Sequence, residues 1–113
     1  MFLINISAKY FHMRYAFHLK IKKGTEDEYI KRHRNVWPEM LDLLKKAGVR
    51  NYSIFIEDTD VFGYWECDDL STTLDAINRS EINSKWQSFM SDIITTPAQE
   101  RTGSGMKEVF HLP

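Results

Sequence analysis

His33 is the side chain best suited to acid or base work. It sits one helical turn after Tyr29, flanked by Lys31, Arg32 and Arg34, and an imidazole gains and loses its proton close to neutral pH. On these residues alone a second reading stays open, in which His33 caps a core edge with one satisfied hydrogen bond. The run Lys31-Arg32-His33-Arg34 suggests a phosphate patch, but side chains about 100° apart splay around a helix, so a solvated face is the simpler reading. Trp37 and Trp86, on two helical stretches, and Tyr52, at the start of a strand, carry flat rings with polar tips that suit the apolar faces and hydroxyls of a sugar. Each of them, taken singly, is more often part of a core than of a ligand wall.

Other chemistries lack support. His12, His18 and His111 show no ligand-type spacing to one another or to carboxylates, so no metal is expected. The lone Cys67 cannot form an intrachain bridge and has no zinc-type neighbours. There is no glycine-rich phosphate loop, and Gly103-Ser104-Gly105 lacks the outer frame of a nucleophile elbow.

The elements that position these residues follow from periodicity. Tyr15, Phe17, Leu19 and Ile21 alternate with Ala16, His18, Lys20 and Lys22, which predicts a first strand. Thr25-Glu26-Asp27-Glu28 fits a capping box at the start of a helix. Tyr29, Ile30, His33, Trp37, Met40, Leu41 and Leu44 recur at spacings of three and four, giving that helix an apolar stripe. Pro38 interrupts it, since a proline inside a helix costs about 3 kcal/mol. The chain is therefore expected to bend near Asn35, which can cap a second helix running to a left-handed stop at Gly48.

Asn51 to Ile56 and Val61 to Cys67 read as a hairpin around the polar Glu57-Asp58-Thr59-Asp60. Ser71 and Ser80 are candidate caps for two further helices carrying Leu74, Ile77, Ile82, Trp86, Phe89, Met90 and Ile93. After a loop over residues 95–105, Met106 to Leu112 reads as a last strand. The order strand, helix, strand, strand, helix, strand is the ferredoxin-like split βαβ arrangement of α+β proteins. Helices then cover one sheet face, and the aromatic side chains left on the other predict a homodimer packed through that open sheet face.

Composition narrows the partners. With 113 residues, 42% of them hydrophobic, the chain can build a core without disulfide or metal staples. Fifteen basic against sixteen acidic residues give a net charge of −1, which provides no electrostatic footprint for nucleic acid or an anionic membrane. The apolar run from Phe2 is broken by Asn5 and lacks a basic leader, so residues 1–12 read as an N-terminal extension to a single domain over 13–113. A reducing cytoplasm suits the single thiol.

The segment from Glu28 to Glu39, Glu-Tyr-Ile-Lys-Arg-His-Arg-Asn-Val-Trp-Pro-Glu, resembles the E-Y-x-x-R-H-x-x-x-W-P-E stretch of L-rhamnose mutarotases. Asn51-Tyr52-Ser53-Ile54 is similar to that family's second strand, Trp86 with Phe89-Met90 to its late helix, and the ending from Glu108 to Pro113 to its closing segment, so the likeness spans residues 14–113. The resemblance implies a dimeric α+β barrel that interconverts the α and β anomers of a 6-deoxy-hexose monosaccharide without cofactor or metal. It implies His33 as the catalytic proton donor and Tyr29, Tyr52 and Trp86 as substrate-binding residues. Many relatives carry a second tryptophan after the one matching Trp86, where this chain has Gln87, and this departure opens L-fucose as an alternative to L-rhamnose. Two other readings are a monooxygenase-like or haem-binding barrel enzyme, by analogy of fold, and a non-catalytic sugar-binding module.

Overall fold

The structure is a computed structural model that describes residues 13–97, 100 and 105–113. The extension expected at residues 1–12 lies outside them. Three antiparallel strands, β1 (Met13–Lys20), β2 (Arg50–Glu57) and β3 (Asp60–Cys67), form a sheet in the order β1-β3-β2. Strand alternation sends Tyr15 and Leu19 of β1 and Val61, Trp65 and Cys67 of β3 to one buried face. The β2–β3 turn is two residues long, with Asp58 at φ 58° between the paired Glu57 and Asp60. A short polar side chain tolerates that left-handed backbone.

Four helices cover the buried face: α1 (Glu26–Arg34), α2 (Pro38–Ala47), α3 (Leu70–Asn78) and α4 (Glu81–Met90). The bend before Pro38 occurs as expected, but the capping residue differs. Trp37 precedes a proline and is driven to an extended backbone, ψ 137°, so it becomes the N-cap of α2 with Pro38 in the first turn. Asn35 instead closes α1, its Nδ2 donating to the Lys31 carbonyl at 3.0 Å. Gly48 stops α2 at φ 100°, its N–H shared between the Leu44 and Lys45 carbonyls. The Thr73 hydroxyl of α3 donates to the Ala47 carbonyl at 2.7 Å and joins the two helix pairs.

The expected capping box does not form, because both of its side chains are engaged elsewhere. The Thr25 hydroxyl donates to the Lys22 carbonyl at 2.6 Å, and Glu28 accepts from Arg32. Asp69 rather than Ser71 caps α3, its carboxylate accepting the Thr72 N–H at 3.2 Å. An anion there also meets the positive end of the helix dipole.

The last expected strand is also corrected. The Met106 N–H donates to the Ala16 carbonyl at 2.7 Å, and Arg14 grips Glu108 at 2.6 and 3.2 Å. The segment thus lies along the outer edge of β1, where a fourth ferredoxin-like strand would run, but it is irregular. Its apolar side chains Val109, Phe110 and Leu112 face solvent, so no covered face holds it in a pleat.

Leu19, Ile21, Tyr29, Met40, Val61, Trp86, Met90 and Ile93 form the core between sheet and helices. Burying each large aliphatic side chain contributes about 1.5–3 kcal/mol. On the other face Phe55 and Phe62 stand 67% and 46% exposed, an uncovered aromatic surface of the kind the sequence predicts.

Candidate active site

Tyr29 and His33 lie four residues apart on α1, so their rings meet on one helix face. They stack with centroids 4.2 Å apart and planes 21° apart. The His33 Nδ1–H donates to the Tyr29 carbonyl at 2.9 Å. A carbonyl only accepts, so this bond assigns the proton of the neutral ring to Nδ1 and leaves the lone pair on Nε2. Burial pulls the His33 pKa below its ordinary value against the opposing pull of that hydrogen bond. The uncharged imidazole therefore prevails at neutral pH, with a base at Nε2.

Trp86 of α4 presents its ring to His33 edge to face, centroids 5.6 Å apart at 89°. Trp37 backs Trp86 at 5.0 Å and Phe89 at 5.3 Å. It belongs to the packing behind the site rather than to the wall of the hollow. Arg32 locks this aromatic group to α1. Its guanidinium binds both Asp92 oxygens at 2.9 and 3.1 Å, Glu28 at 2.8 Å and the Phe89 carbonyl at 2.8 Å, and lies 4.5 Å over the Phe89 ring. The solvated face expected for the basic run is thus overturned at Arg32, whose side chain is only 13% exposed. Its fork is satisfied by partners that the fold brings from far along the chain.

Tyr52 enters from β2 beside a bulge. The register slips between Arg50 and Ser53, with Asn51 at φ 51° and its Nδ2 donating to Glu66 at 2.9 Å. Tyr52 thereby joins Ile54 and Ile56 on the helix side of the sheet and meets the Phe17 ring edge-on at 6.3 Å. Phe17 can lie there because its strand partner is Gly63, where any Cβ would come within 2.1 Å of the ring. Although 38% of Tyr52 is exposed, desolvation and the nearby Tyr29 and Tyr15 push its phenol pKa up, and desolvation does the same to Tyr29. Both phenols remain protonated near neutrality and serve as hydrogen-bonding groups rather than bases.

Tyr29, His33, Tyr52 and Trp86 all line one open hollow of about 920 Å³ between sheet and helices, with Gln87 on the same wall. Among the described residues, His33 Nε2 and the Tyr29 and Tyr52 hydroxyls make no hydrogen bond, which leaves three unpaired polar tips on residues that line the space. The sequence reading passed over Asn83, a buried polar residue on the same wall. Its spacing of three and seven from Trp86 and Met90 is the signal, a polar side chain on a buried stripe. Among the described residues, no group of three or more His, Cys, Asp or Glu could hold a metal ion, and no helix is long and apolar enough to cross a membrane.

A sheet covered on one side by two helix pairs, with an acid–base pocket between the layers, defines a ferredoxin-like α+β protein. Comparison with known proteins takes the class to a family. A family model described as L-rhamnose mutarotase matches residues 14–112. L-rhamnose mutarotases from Lachnoclostridium phytofermentans and Flavobacterium johnsoniae are 40% and 42% identical, each covering 88% of this chain, and 98% and 95% of the respective relative. The crystal structure of L-rhamnose mutarotase from Formosa agariphila superposes with a TM-score of 0.75 at 32% identity, over 89% of this chain and 99% of that one. The chain belongs to the L-rhamnose mutarotase family, and with it to the isomerases.

Proposed function

We propose that this protein interconverts the α and β anomers of L-rhamnose, or of a related 6-deoxy-hexose such as L-fucose, by acid/base-assisted opening and reclosure of the sugar ring. Neutral His33 takes the proton of the anomeric hydroxyl at Nε2. The freed electron pair forms the carbonyl as the bond from the anomeric carbon to the ring oxygen breaks, and the imidazolium returns the proton to that ring oxygen. After the carbonyl turns, the same hydroxyl attacks its opposite face, gives its proton to His33, and the new anomeric oxygen takes it back. No net proton is consumed and no electron changes hands, so the reaction calls for neither metal nor cofactor. One imidazole serves both oxygens because they share a carbon atom.

The observation that carries this reading is the imidazole of His33, pinned at Nδ1 and unpaired at Nε2 beside the hollow. Positioned acid–base groups accelerate proton transfer by roughly 10²–10⁴-fold, enough for a reaction that already proceeds unaided in water. Tyr29 and Tyr52 hold sugar hydroxyls, and Trp86 offers a face or edge to the ring carbons. Saturation-exchange NMR between the anomeric signals of L-rhamnose, L-fucose and other sugars tests it, with exchange fastest for a 6-deoxy-hexose. A panel in which the protein speeds no anomer exchange refutes it.

The uncovered Phe55 and Phe62 support a homodimer joined through the open sheet face. The family match beginning at residue 14 supports residues 1–12 as an extension outside the catalytic domain, and the buried free Cys67 suits a reducing cytoplasm.

A further inference from the structure

We propose that Asn83 is a further substrate-binding residue, whose side-chain amide donates to one ring hydroxyl of the sugar away from the anomeric carbon and so sets which sugars the site prefers. The inference rests on the mutarotase reading and adds to it a determinant of choice. Asn83 is 9% exposed and lines the hollow. Its Oδ1 accepts from Gln87 Nε2 at 3.3 Å, one turn on along α4. Its own Nδ2 makes no hydrogen bond among the described residues.

A buried amide donor left unpaired is costly, and folded proteins keep few of them. One that borders a hollow is satisfied when an oxygen-bearing ligand fills the space. Trp86 and Met90 on this helix belong to the core, whereas the amides of Asn83 and Gln87 line the hollow. Asn83 Nδ2 brings to the α4 wall a donor without a partner among the described residues, one that distinguishes a hydroxyl from a methylene. It stands one turn from Trp86, whose ring edge meets His33. A pyranose whose anomeric carbon is at His33 would therefore extend past Trp86 and present a distal hydroxyl to Asn83. The hydrogen bond from Gln87 occupies Oδ1 and so leaves the donor side of Asn83 for the ligand.

The test compares anomer exchange of L-rhamnose with that of its 2-, 3- and 4-deoxy analogues on the native protein, on Asn83→Ala and on the volume-conserving Asn83→Leu, with circular dichroism to verify folding. The native protein is expected to lose about tenfold in kcat/KM on one analogue, the ratio that 1.4 kcal/mol represents. Both variants should lose about tenfold on L-rhamnose through KM, with kcat within about twofold, and should no longer distinguish it from that analogue. A merely structural role would leave the discrimination between analogues intact in whichever variant folds, and that result overturns the proposal. Absence of exchange in the native protein would instead overturn the mutarotase reading, and ligand-observed NMR of sugar binding would then apply the same comparison to Asn83.

Discussion

His33 donates from Nδ1 to the main-chain carbonyl of Tyr29, one turn earlier on the same helix, at 2.9 Å. The bond holds the imidazole against the Tyr29 ring and leaves Nε2 as its one unbonded nitrogen among the described residues. The geometry that the proposed mechanism needs is thereby built into nine residues of helix.

Replacing His33 with alanine removes the proposed base while leaving the Arg32 clamp and the buried Tyr29 in place. The expected loss in anomer exchange is about 10²–10⁴-fold with an unchanged circular dichroism spectrum. Exchange at the native rate would remove His33 from the mechanism.

Because burial lowers the His33 pKa, the neutral ring that the proposed mechanism uses persists below the ordinary histidine value near 6.5. The rate should stay flat through neutrality and fall only at more acidic pH. The linked stability effect has a definite sign. The unfolded chain binds this proton first, so the His33 contribution to stability drops as pH falls from about 6.5 to the lower folded value. A proton NMR titration of the ring alongside the pH–rate profile measures both, and a midpoint at or above 6.5 would contradict the desolvated setting.

Arg32→Ala should lower stability by about 1–2 kcal/mol, since it strands the Phe89 carbonyl and frees the end of α4 from α1. Arg32→Lys keeps the charge but not the fork and should recover only part of the loss. Denaturant titration with tryptophan fluorescence follows the effect, because Phe89 packs on Trp37 and Trp86.

A methyl group at position 63 would occupy the seat of the Phe17 ring. Gly63→Ala is expected to cost about 1–3 kcal/mol as an overpacked core does, and to weaken sugar binding because Phe17 flanks Tyr52. Thermal unfolding and a binding titration report the two effects, and a variant as stable as the native protein would show that the ring moves freely.

Phe55→Arg puts a charge on the uncovered sheet face. If two subunits pair through it, light scattering should show the mass halving with the fold retained. An unchanged mass would direct attention to another surface.

Much of this site is written locally. The four-residue spacing of Tyr29 and His33 dictates their contact once a helix forms, and Pro38 dictates where that helix must stop. Part of what escaped the sequence reading depends on partners remote in the chain. The Arg32 fork closes on Asp92, 60 residues later, and no helical pattern announces such a partner. The competition between Asp69 and Ser71 turns on a single turn of backbone. Residues 106–112 have strand-like composition, but a strand is defined by its neighbours, and the segment touches β1 without continuing the ladder. Asn83 is disguised by its residue type, which suggests a surface position although its spacing is that of the core.

Gly105 and Met106 border the hollow, and a few residues later the same segment carries the bare side chains of Val109, Phe110 and Leu112. Chamber wall and sticky tail are one short length of string, moored to β1 by Met106 and Glu108. A pull on Val109, Phe110 or Leu112 would therefore bear first on the Met106 and Glu108 anchors to β1, next to the wall of the hollow.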